Sequence, residues 1–208
     1  MNEKFRVGGM VMAFVAPIVL GGCGSGPPLP TYKDAFAGLY NQSAASVPAD
    51  VAIRVQHPVG IILSDNVEAY VAWVRKTDEY LGKVIPASLT NTVAEADFNP
   101  DYMAAQFLDL VKRHFPEAQV VHDFNAAVGS GKKAVCLIDI QAVIGGRTGA
   151  TTTIDATLYF FDAQMNPVSK ISGHGEGTIP FPATTAQVQP STDAAVRQLD
   201  AKITALVH

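Results

Sequence analysis

An uncharged, largely hydrophobic run lies near the amino terminus of this 208-residue chain. Lys4 and Arg6 precede the run, and no charged residue follows them as far as Leu20. The run is shorter than the ~20 residues that cross a bilayer as a helix, and Pro17 interrupts it. A basic start followed by a short apolar segment is typical of a secretory signal peptide, which we predict for residues 1–22.

Further along the chain, three segments have hydrophobic residues at helical spacing. The first can be capped by Asp65, although its β-branched and aromatic residues also allow a strand. The second begins at Asn99 and ends before Pro116, with basic residues at its carboxyl end. The third begins near Ser191. A capping-box pattern predicts a further, short helix over residues 31–40.

Continuous and alternating apolar runs predict the strands. A continuous run predicts a buried strand at residues 59–63. Alternation after the second helix predicts four more strands, at residues 119–124, 134–144, 150–161 and 168–179. Short turns join these four, so we expect an antiparallel meander. The last helix lies across it, and residues 83–98 form a loop. The predicted fold class is α+β, an antiparallel sheet with helices packed on one face as a two-layer sandwich.

Side-chain alternation assigns the two faces of this sheet. Apolar residues and glycines share the face that the helices cover: Cys136, Ile138, Ile140, Ala142, Ile144, Ile154, Ala156, Leu158, Phe160, Ile171, Gly173, Gly175 and Gly177. Polar side chains share the other face: Asp139, Gln141, Thr151, Thr153, Asp155, Thr157, Lys170, Ser172, His174 and Glu176. A sheet with one face in water requires this distribution.

The strand registers decide whether the polar face holds a site. If Phe161 pairs with Val168, Asp155 faces His174 on the neighbouring strand. A carboxylate next to an imidazole can form a charge pair. The same two groups could also act in catalysis, so a second hypothesis is a hydrolase that uses Asp155 and His174.

A third residue joins this pair if Ile144 pairs with Ala150, because Asp139 then faces Asp155. A row of Asp139, Asp155 and His174 could bind a metal ion or share a proton. The more common explanation of such a row is a solvated polar face with one charge pair. We therefore predict no catalytic residue, no metal site and no cofactor.

The glycines of the last predicted strand have a structural explanation. Gly173, Gly175 and Gly177 lie on one face of the strand, and their spacing is not that of a dinucleotide-binding loop. We expect the final helix to approach this bare backbone closely, through Ala195 or Ala201.

Three other features suggest chemistry but are better explained by structure. Residues 129–133 lack the leading glycine and the hydroxyl residue of a phosphate-binding loop, so we predict a hairpin turn. Cys136 lies in an apolar strand and is expected to be a buried small hydrophobe rather than a reactive thiol. Tyr70 and Trp73 could mark a ligand or partner surface, but such residues more often belong to the core.

Composition narrows the classes of function. Hydrophobic residues make up 48% of the chain and charged residues 16%, which predicts a folded domain rather than a disordered chain. We expect a single globular domain over residues 32–208. The net charge is −4 and no basic run occurs, so nucleic acid is not an expected partner.

The four residues that end the signal peptide region, Leu20, Gly21, Gly22 and Cys23, resemble the lipobox of bacterial lipoproteins. The resemblance implies that the Cys23 thiol receives a diacylglycerol and that the chain is cleaved between Gly22 and Cys23. Residues 23–31 would then hold the domain by a flexible tether. No aspartate follows the cysteine, and this implies an outer-membrane location facing the periplasm.

From Pro100 onward the order of elements resembles periplasmic lipoprotein domains. The similarity lies in a helix, the strand and turn of residues 153–168, a glycine-rich strand and a closing helix. The families are the amino-terminal domain of the Tol-system propeller protein and the small lipoproteins that assist curli secretion or activate penicillin-binding proteins. The resemblance implies a fold more than a function.

These observations favour a non-enzymatic envelope lipoprotein that binds another envelope protein and supports assembly or transport. Its lipid partner would be the bilayer, through acylated Cys23. The two alternatives are a lipoprotein that binds a small ligand or a metal ion on the polar face, and a hydrolase using Asp155 and His174.

Overall fold

The computed structural model describes residues 27–39, 42–84, 101–144, 150–179 and 188–208. In chain order the elements are β1 (Val59–Leu63), α1 (Asp65–Val84), α2 (Tyr102–His114), β2 (Gln119–Val120), α3 (Phe124–Gly129), β3 (Ala134–Ile144), β4 (Ala150–Phe161), β5 (Pro167–Ile179) and α4 (Gln189–Leu206). A short 3-10 helix, Ala44–Ser46, precedes β1. The predicted α+β class is confirmed.

The strands form one mixed sheet in the order β2–β1–β3–β4–β5. β3, β4 and β5 form the predicted antiparallel meander. β1, however, runs parallel to both β2 and β3, so the prediction of a purely antiparallel sheet is wrong. Parallel neighbours require long connections, and the helices between β1 and β3 supply them.

The three main predicted helices are present as α1, α2 and α4. In α1, a helix forms rather than a strand because Val67, Tyr70 and Val74 are buried at spacings of three and four residues. The predicted loop at residues 83–98 is wrong at its start, because Lys83 and Val84 belong to α1. The rest of that loop and the predicted cap Asn99 lie outside the described residues.

Helices α1, α2 and α4 cover one face of the sheet and form the helix-side core with it. The sheet residues of this core are buried at alternating positions, as predicted: Cys136, Ile138, Ile140, Ala142, Ile154, Ala156, Leu158, Phe160 and Ile171. From α4 come Ala195, Val196, Leu199 and Ile203. These helix-facing residues lie at every second position of β3 and β4, as side-chain alternation requires.

One end of the opposite face is also covered. Phe36 packs on it, with its ring centroid 4.9 Å from that of Tyr159 and 5.4 Å from that of Phe161. Leu137 and, from α3, Ala127 belong to the same second cluster. The prediction of two layers with cover on one face is therefore wrong at this end, because outward-facing aromatic residues on β4 require their own cover.

The predicted helix at residues 31–40 is replaced by a turn. The Asp34 carboxylate accepts hydrogen bonds from the backbone N–H groups of Phe36, at 2.9 Å, and of Ala44, at 3.1 Å. A side chain that binds nearby backbone in this way competes with helix formation. The same turn brings Phe36 to the sheet.

The predicted strand at residues 119–124 is reduced to the two residues of β2. It ends there because Asp123 caps α3, accepting a hydrogen bond from the Ala126 N–H at 2.7 Å. The turn at residues 130–133 joins α3 to β3, and β1 lies between β2 and β3. The predicted hairpin at residues 129–133 is therefore absent.

Candidate functional site

The uncovered part of the face opposite the helices is polar. We call it the polar patch, and its side chains are exposed or half-buried: Gln141, Thr151, Thr153, Asp155, Thr157, Ser172, His174, Glu176 and Thr178. β3, β4 and β5 position these side chains through their alternation. The patch begins where the cover provided by Phe36 ends.

Asp155 and His174 are the paired charged groups of the polar patch. They lie directly opposite each other on β4 and β5, and His174 Nδ1 is 2.7 Å from Asp155 Oδ1. Their side chains are 63% and 52% exposed. The hydrogen bond to Asp155 raises the pKa of His174 above its usual value, and the charges of Asp155 and Glu176 add to the rise, whereas desolvation opposes it. The pair is a solvated surface contact.

Asp139 does not join this pair, because the register between β3 and β4 differs from the assumed one. Asp139 lies opposite Thr157, and Gln141 lies opposite Asp155. The cause is the length of the connection: Ile144 pairs with residue 152 rather than 150, which moves every partner along by two. The predicted row of Asp139, Asp155 and His174 is therefore not formed.

Asp139 is instead buried, with 4% of its surface exposed. Its Oδ1 accepts hydrogen bonds from Ser64 Oγ at 2.6 Å and from Asn66 Nδ2 at 2.8 Å. Gln141 Nε2 donates to its other oxygen at 3.2 Å. Ser64 and Asn66 directly follow β1. The parallel pairing of β1 with β3, which the sequence did not predict, therefore brings these donors to the carboxylate.

Asn66 also binds the segment that follows the predicted tether. Its side-chain oxygen accepts the Lys33 N–H at 2.9 Å, and its Nδ2 donates to the Lys33 carbonyl at 3.0 Å. One asparagine thus links the backbone of this segment to Asp139. No sequence signal indicated this link, because the residues are distant in the chain.

The hydroxyl group of Tyr32 makes a second attachment to the sheet. It donates to the Ala142 carbonyl at 2.7 Å and accepts from the Ala142 N–H at 2.9 Å. Ala142 lies on β3 beyond the end of β1, where none of the described strands pairs with it on the β1 side. A third attachment is from Trp73 Nε1 to the Pro27 carbonyl, at 3.2 Å. The chain from Pro27 to Lys33 is therefore bound to the domain at three points.

The other candidate residues, Cys136, Tyr70 and Trp73, lie in the hydrophobic core or pack against it. Cys136 is a free, fully buried cysteine, and burial raises the pKa of its thiol. Tyr70 is buried and Trp73 half-buried, with ring centroids 6.0 Å apart. Burial also raises the pKa of Tyr70.

The glycines on β5 allow a close approach of α4, as predicted. A Cβ atom on Gly173 would lie 2.5 Å from the Ala195 carbonyl oxygen, and one on Gly175 would overlap the Ser191 carbonyl oxygen. Of the two predicted contact residues, Ala195 is buried against the strand, whereas Ala201 is exposed.

Two properties of the described residues bear on metal ions and membranes. Within those ranges, no three His, Cys, Asp or Glu side chains lie together in a way that could hold a metal ion. Among the same residues, no helix combines the length and the hydrophobicity needed to cross a bilayer.

No protein-family model matches the chain, and no curated protein matches it. Among solved structures, a dodecamer of a PelC variant from Paraburkholderia phytofirmans matches with a TM-score of 0.37 and 11% identity, over 77% of this chain and 94% of the other. A second PelC dodecamer from that organism gives 0.33 and 10%, with the same coverage. Lipoprotein GNA1162 from Neisseria meningitidis gives 0.30 and 14%, over 69% of this chain and 99% of the other. The comparisons therefore assign no family to the chain.

Proposed function

We propose that this chain is a lipid-anchored envelope protein that binds another envelope protein through the polar patch and catalyses no reaction. The observation that carries the proposal is the binding of residues 27–33 to the domain, directly after the lipobox-like sequence. An anchor joined to such a segment holds the domain in a defined orientation at the membrane.

The small number of residues between the predicted anchor and the bound segment supports this orientation. Only residues 24–26 separate Cys23 from Pro27, whose carbonyl is bound by Trp73. Four Cα steps span at most about 14 Å. An acylated Cys23 would therefore keep Trp73 and the Pro27 segment near the membrane surface. Two or more acyl chains are needed for a stable attachment, and lipidation of this type supplies them.

The polar patch is the part of the sheet that no helix or segment of the described residues covers. The helices cover one face of the sheet, and Phe36 with its neighbours covers one end of the other. The patch presents hydroxyl groups together with the Asp155–His174 pair, and such groups form the polar contacts of protein interfaces. We place the partner, another envelope protein, on this patch.

The two alternative functions receive less support. A metal site generally needs three or more protein ligands, and the observed register separates Asp139 from Asp155 and His174. A hydrolase needs a nucleophile in contact with its base. His174 contacts Asp155 through its ring, and through its backbone N–H it contacts Gln198.

The two cysteines provide a test of the anchor. We expect Cys23→Ala to abolish incorporation of labelled palmitate, to prevent cleavage and to change membrane fractionation. Cys136→Ala is the matched control, because that thiol is buried in the core. Unchanged labelling and fractionation of Cys23→Ala would refute the anchored function.

A photoreactive amino acid tests the partner surface in intact cells. At Thr151, on the polar patch, it should give a specific protein adduct; at Val128, exposed on α3, it should not. The adduct should disappear when Thr153→Arg is introduced beside it. Identical adducts from both positions, or an adduct that survives Thr153→Arg, would count against binding at the patch.

A further inference from the structure

A cavity of about 180 Å³ lies at the end of the sheet where β3 begins and β4 ends. Its lining comes from those two strands, from the turn after β4 and from residues 53–56. The stretch of β4 from Asp155 to Phe161 spans about 20 Å, and Phe161 lines the cavity. The cavity is therefore separate from the polar patch.

Most of the residues that line the cavity are apolar. Val55, Ala134, Phe160 and Phe161 are buried, and Val168 is half-buried. An apolar cavity of about 150 Å³ is large enough to hold benzene, whereas drug-sized ligands occupy about 300 Å³ or more. The cavity therefore has room for one apolar group of the size of an amino-acid side chain.

Two cations, Arg54 and Lys133, also line the cavity. Both residues are exposed, and within the described ranges neither side chain forms a hydrogen bond or an ion pair. Asp162 is the acidic residue of the lining, and its Oδ1 already accepts the backbone N–H groups of Gln164 and Asn166, each at 2.9 Å. The positive charges of the lining are thus the ones without partners.

The backbone beside Arg54 adds hydrogen-bond donors. Ile53 and Val55 donate their N–H groups to carbonyl oxygens in residues 206–208, at 2.8 and 2.9 Å, so this segment is extended. N–H groups alternate in direction along an extended chain, so those of Arg54 and Gln56 point to the other side. In the part of the chain that the structure describes, neither of these two N–H groups has a hydrogen-bond partner.

We propose that this cavity binds a carboxylate joined to an apolar group of about the size of a benzene ring. The apolar group enters the cavity, and the carboxylate binds Arg54 and Lys133 at its opening. Arginine suits this role because its planar guanidinium can donate two hydrogen bonds to one carboxylate. A free aromatic acid has this chemistry, and so does the carboxyl terminus of a polypeptide that ends in a hydrophobic residue.

Binding of N-acetylphenylalanine to the full chain, purified in detergent, tests the proposal. The matched probe is N-acetylphenylalaninamide, which keeps the ring but lacks the carboxylate. Because hydrogen bonds to charged groups are strong, we expect the acid to bind at least about tenfold more tightly than the amide. In methyl NMR spectra the signals of Ile53 and Val168 should shift, whereas that of Val128, exposed on α3, should not. Equal affinities, or equal shifts at all three residues, would overturn the proposal.

A double variant, Arg54→Gln with Lys133→Gln, tests the two cations. We expect a loss of at least about tenfold in affinity for the acid, with an unchanged melting temperature because both side chains are exposed. Lys76→Gln with Lys112→Gln is the matched control, since it removes the same charge from exposed positions on α1 and α2. Equal losses in the two double variants would mean that net charge alone acts, and would overturn the site.

A short peptide with a carboxyl-terminal phenylalanine distinguishes the two sources of the ligand. Tighter binding of the peptide than of N-acetylphenylalanine would support a protein terminus, because the peptide backbone can pair with the N–H groups of Arg54 and Gln56. Tighter binding of the free acid would support a small-molecule ligand. Failure of both compounds to bind at millimolar concentration would overturn the proposal.

Discussion

Asp139 and Asp155 lie on the same face of adjacent strands, yet their surroundings are opposite. Asp139 is 4% exposed and accepts hydrogen bonds from three side chains, whereas Asp155 is 63% exposed and contacts one histidine. The strand pattern places both carboxylates outward. The difference comes from what packs on the sheet: residues after β1 and the segment near Lys33 cover one carboxylate and leave the other open. The segments that pack on the sheet, rather than the alternation of side chains along the strands, therefore decide which part of this face can bind a partner.

The largest loss of stability is expected on the helix-covered face, at Gly175, where the backbone of α4 lies directly against the strand. Even Gly175→Ala places a Cβ atom into the Ser191 carbonyl, so the helix must move. We expect a loss of about 3 kcal/mol or more in the free energy of unfolding, the upper end of overpacking effects. Gly175→Val should cost at least as much. Thermal unfolding followed by circular dichroism measures the loss.

Gly129→Ala is the control for this change, because a Cβ atom there meets nothing within 4 Å. Its melting temperature should stay close to that of the unmodified protein. An unchanged melting temperature for Gly175→Ala would show that α4 does not rest on bare backbone at this position.

A comparison of Asp139→Ala with Asp155→Ala tests the contrast itself. Asp139→Ala removes the acceptor of the buried Ser64 hydroxyl and one of the two acceptors of the Asn66 amide, so we expect a loss of about 2–4 kcal/mol. Asp155→Ala removes an exposed contact and should cost less than about 0.5 kcal/mol. Denaturant unfolding of the two variants, compared at equal slope, gives both values. Equal losses would mean that the cover over Asp139 does not determine its role.

The elements that the sequence predicts correctly are those that bury residues at a regular spacing along the chain. α1, α2 and α4 and the meander β3–β5 bury residues at regular spacing, so their pattern alone predicts them. The close approach at Gly173 and Gly175 was predictable for a similar reason, since three glycines on one strand face leave room for backbone. The predicted pairing of Asp155 with His174 is present, although the assumed pairing of Phe161 with Val168 is not: Phe161 pairs with Pro167, across an irregularity between Phe160 and Phe161.

What the sequence does not reveal depends on contacts between distant residues. The parallel pairing of β1 with β3 has no local signature, and it brings Ser64 and Asn66 to Asp139. The register between β3 and β4 depends on the length of their connection, which alternation does not measure. The composition of residues 27–31 is typical of a tether. Nothing in it indicates that Trp73 binds Pro27.

The smallest expected effect concerns His174 on the polar patch. It is a change in the pKa of the imidazole rather than a large change in folding stability. The hydrogen bond with Asp155 raises the pKa of His174 above its ordinary value of 6.5. Because the folded-state pKa is raised, the stabilisation from this pair is complete below pH 6.5 and is lost as the pH rises through the folded-state pKa. The pair is exposed and screened by solvent, so the change in stability over this range should be slight.

NMR titration of the His174 ring measures this pKa directly. We expect Asp155→Asn to lower it towards 6.5, because the substitution removes both the hydrogen bond to a carboxylate and its charge. Glu176→Gln is the matched control: Glu176 acts on His174 through its charge alone, so the decrease should be smaller. If Glu176→Gln lowers the pKa of His174 as much as Asp155→Asn does, the hydrogen bond is not the main cause. The open end of the sheet face would then be a diffuse set of charges rather than a defined pair that a partner can recognise.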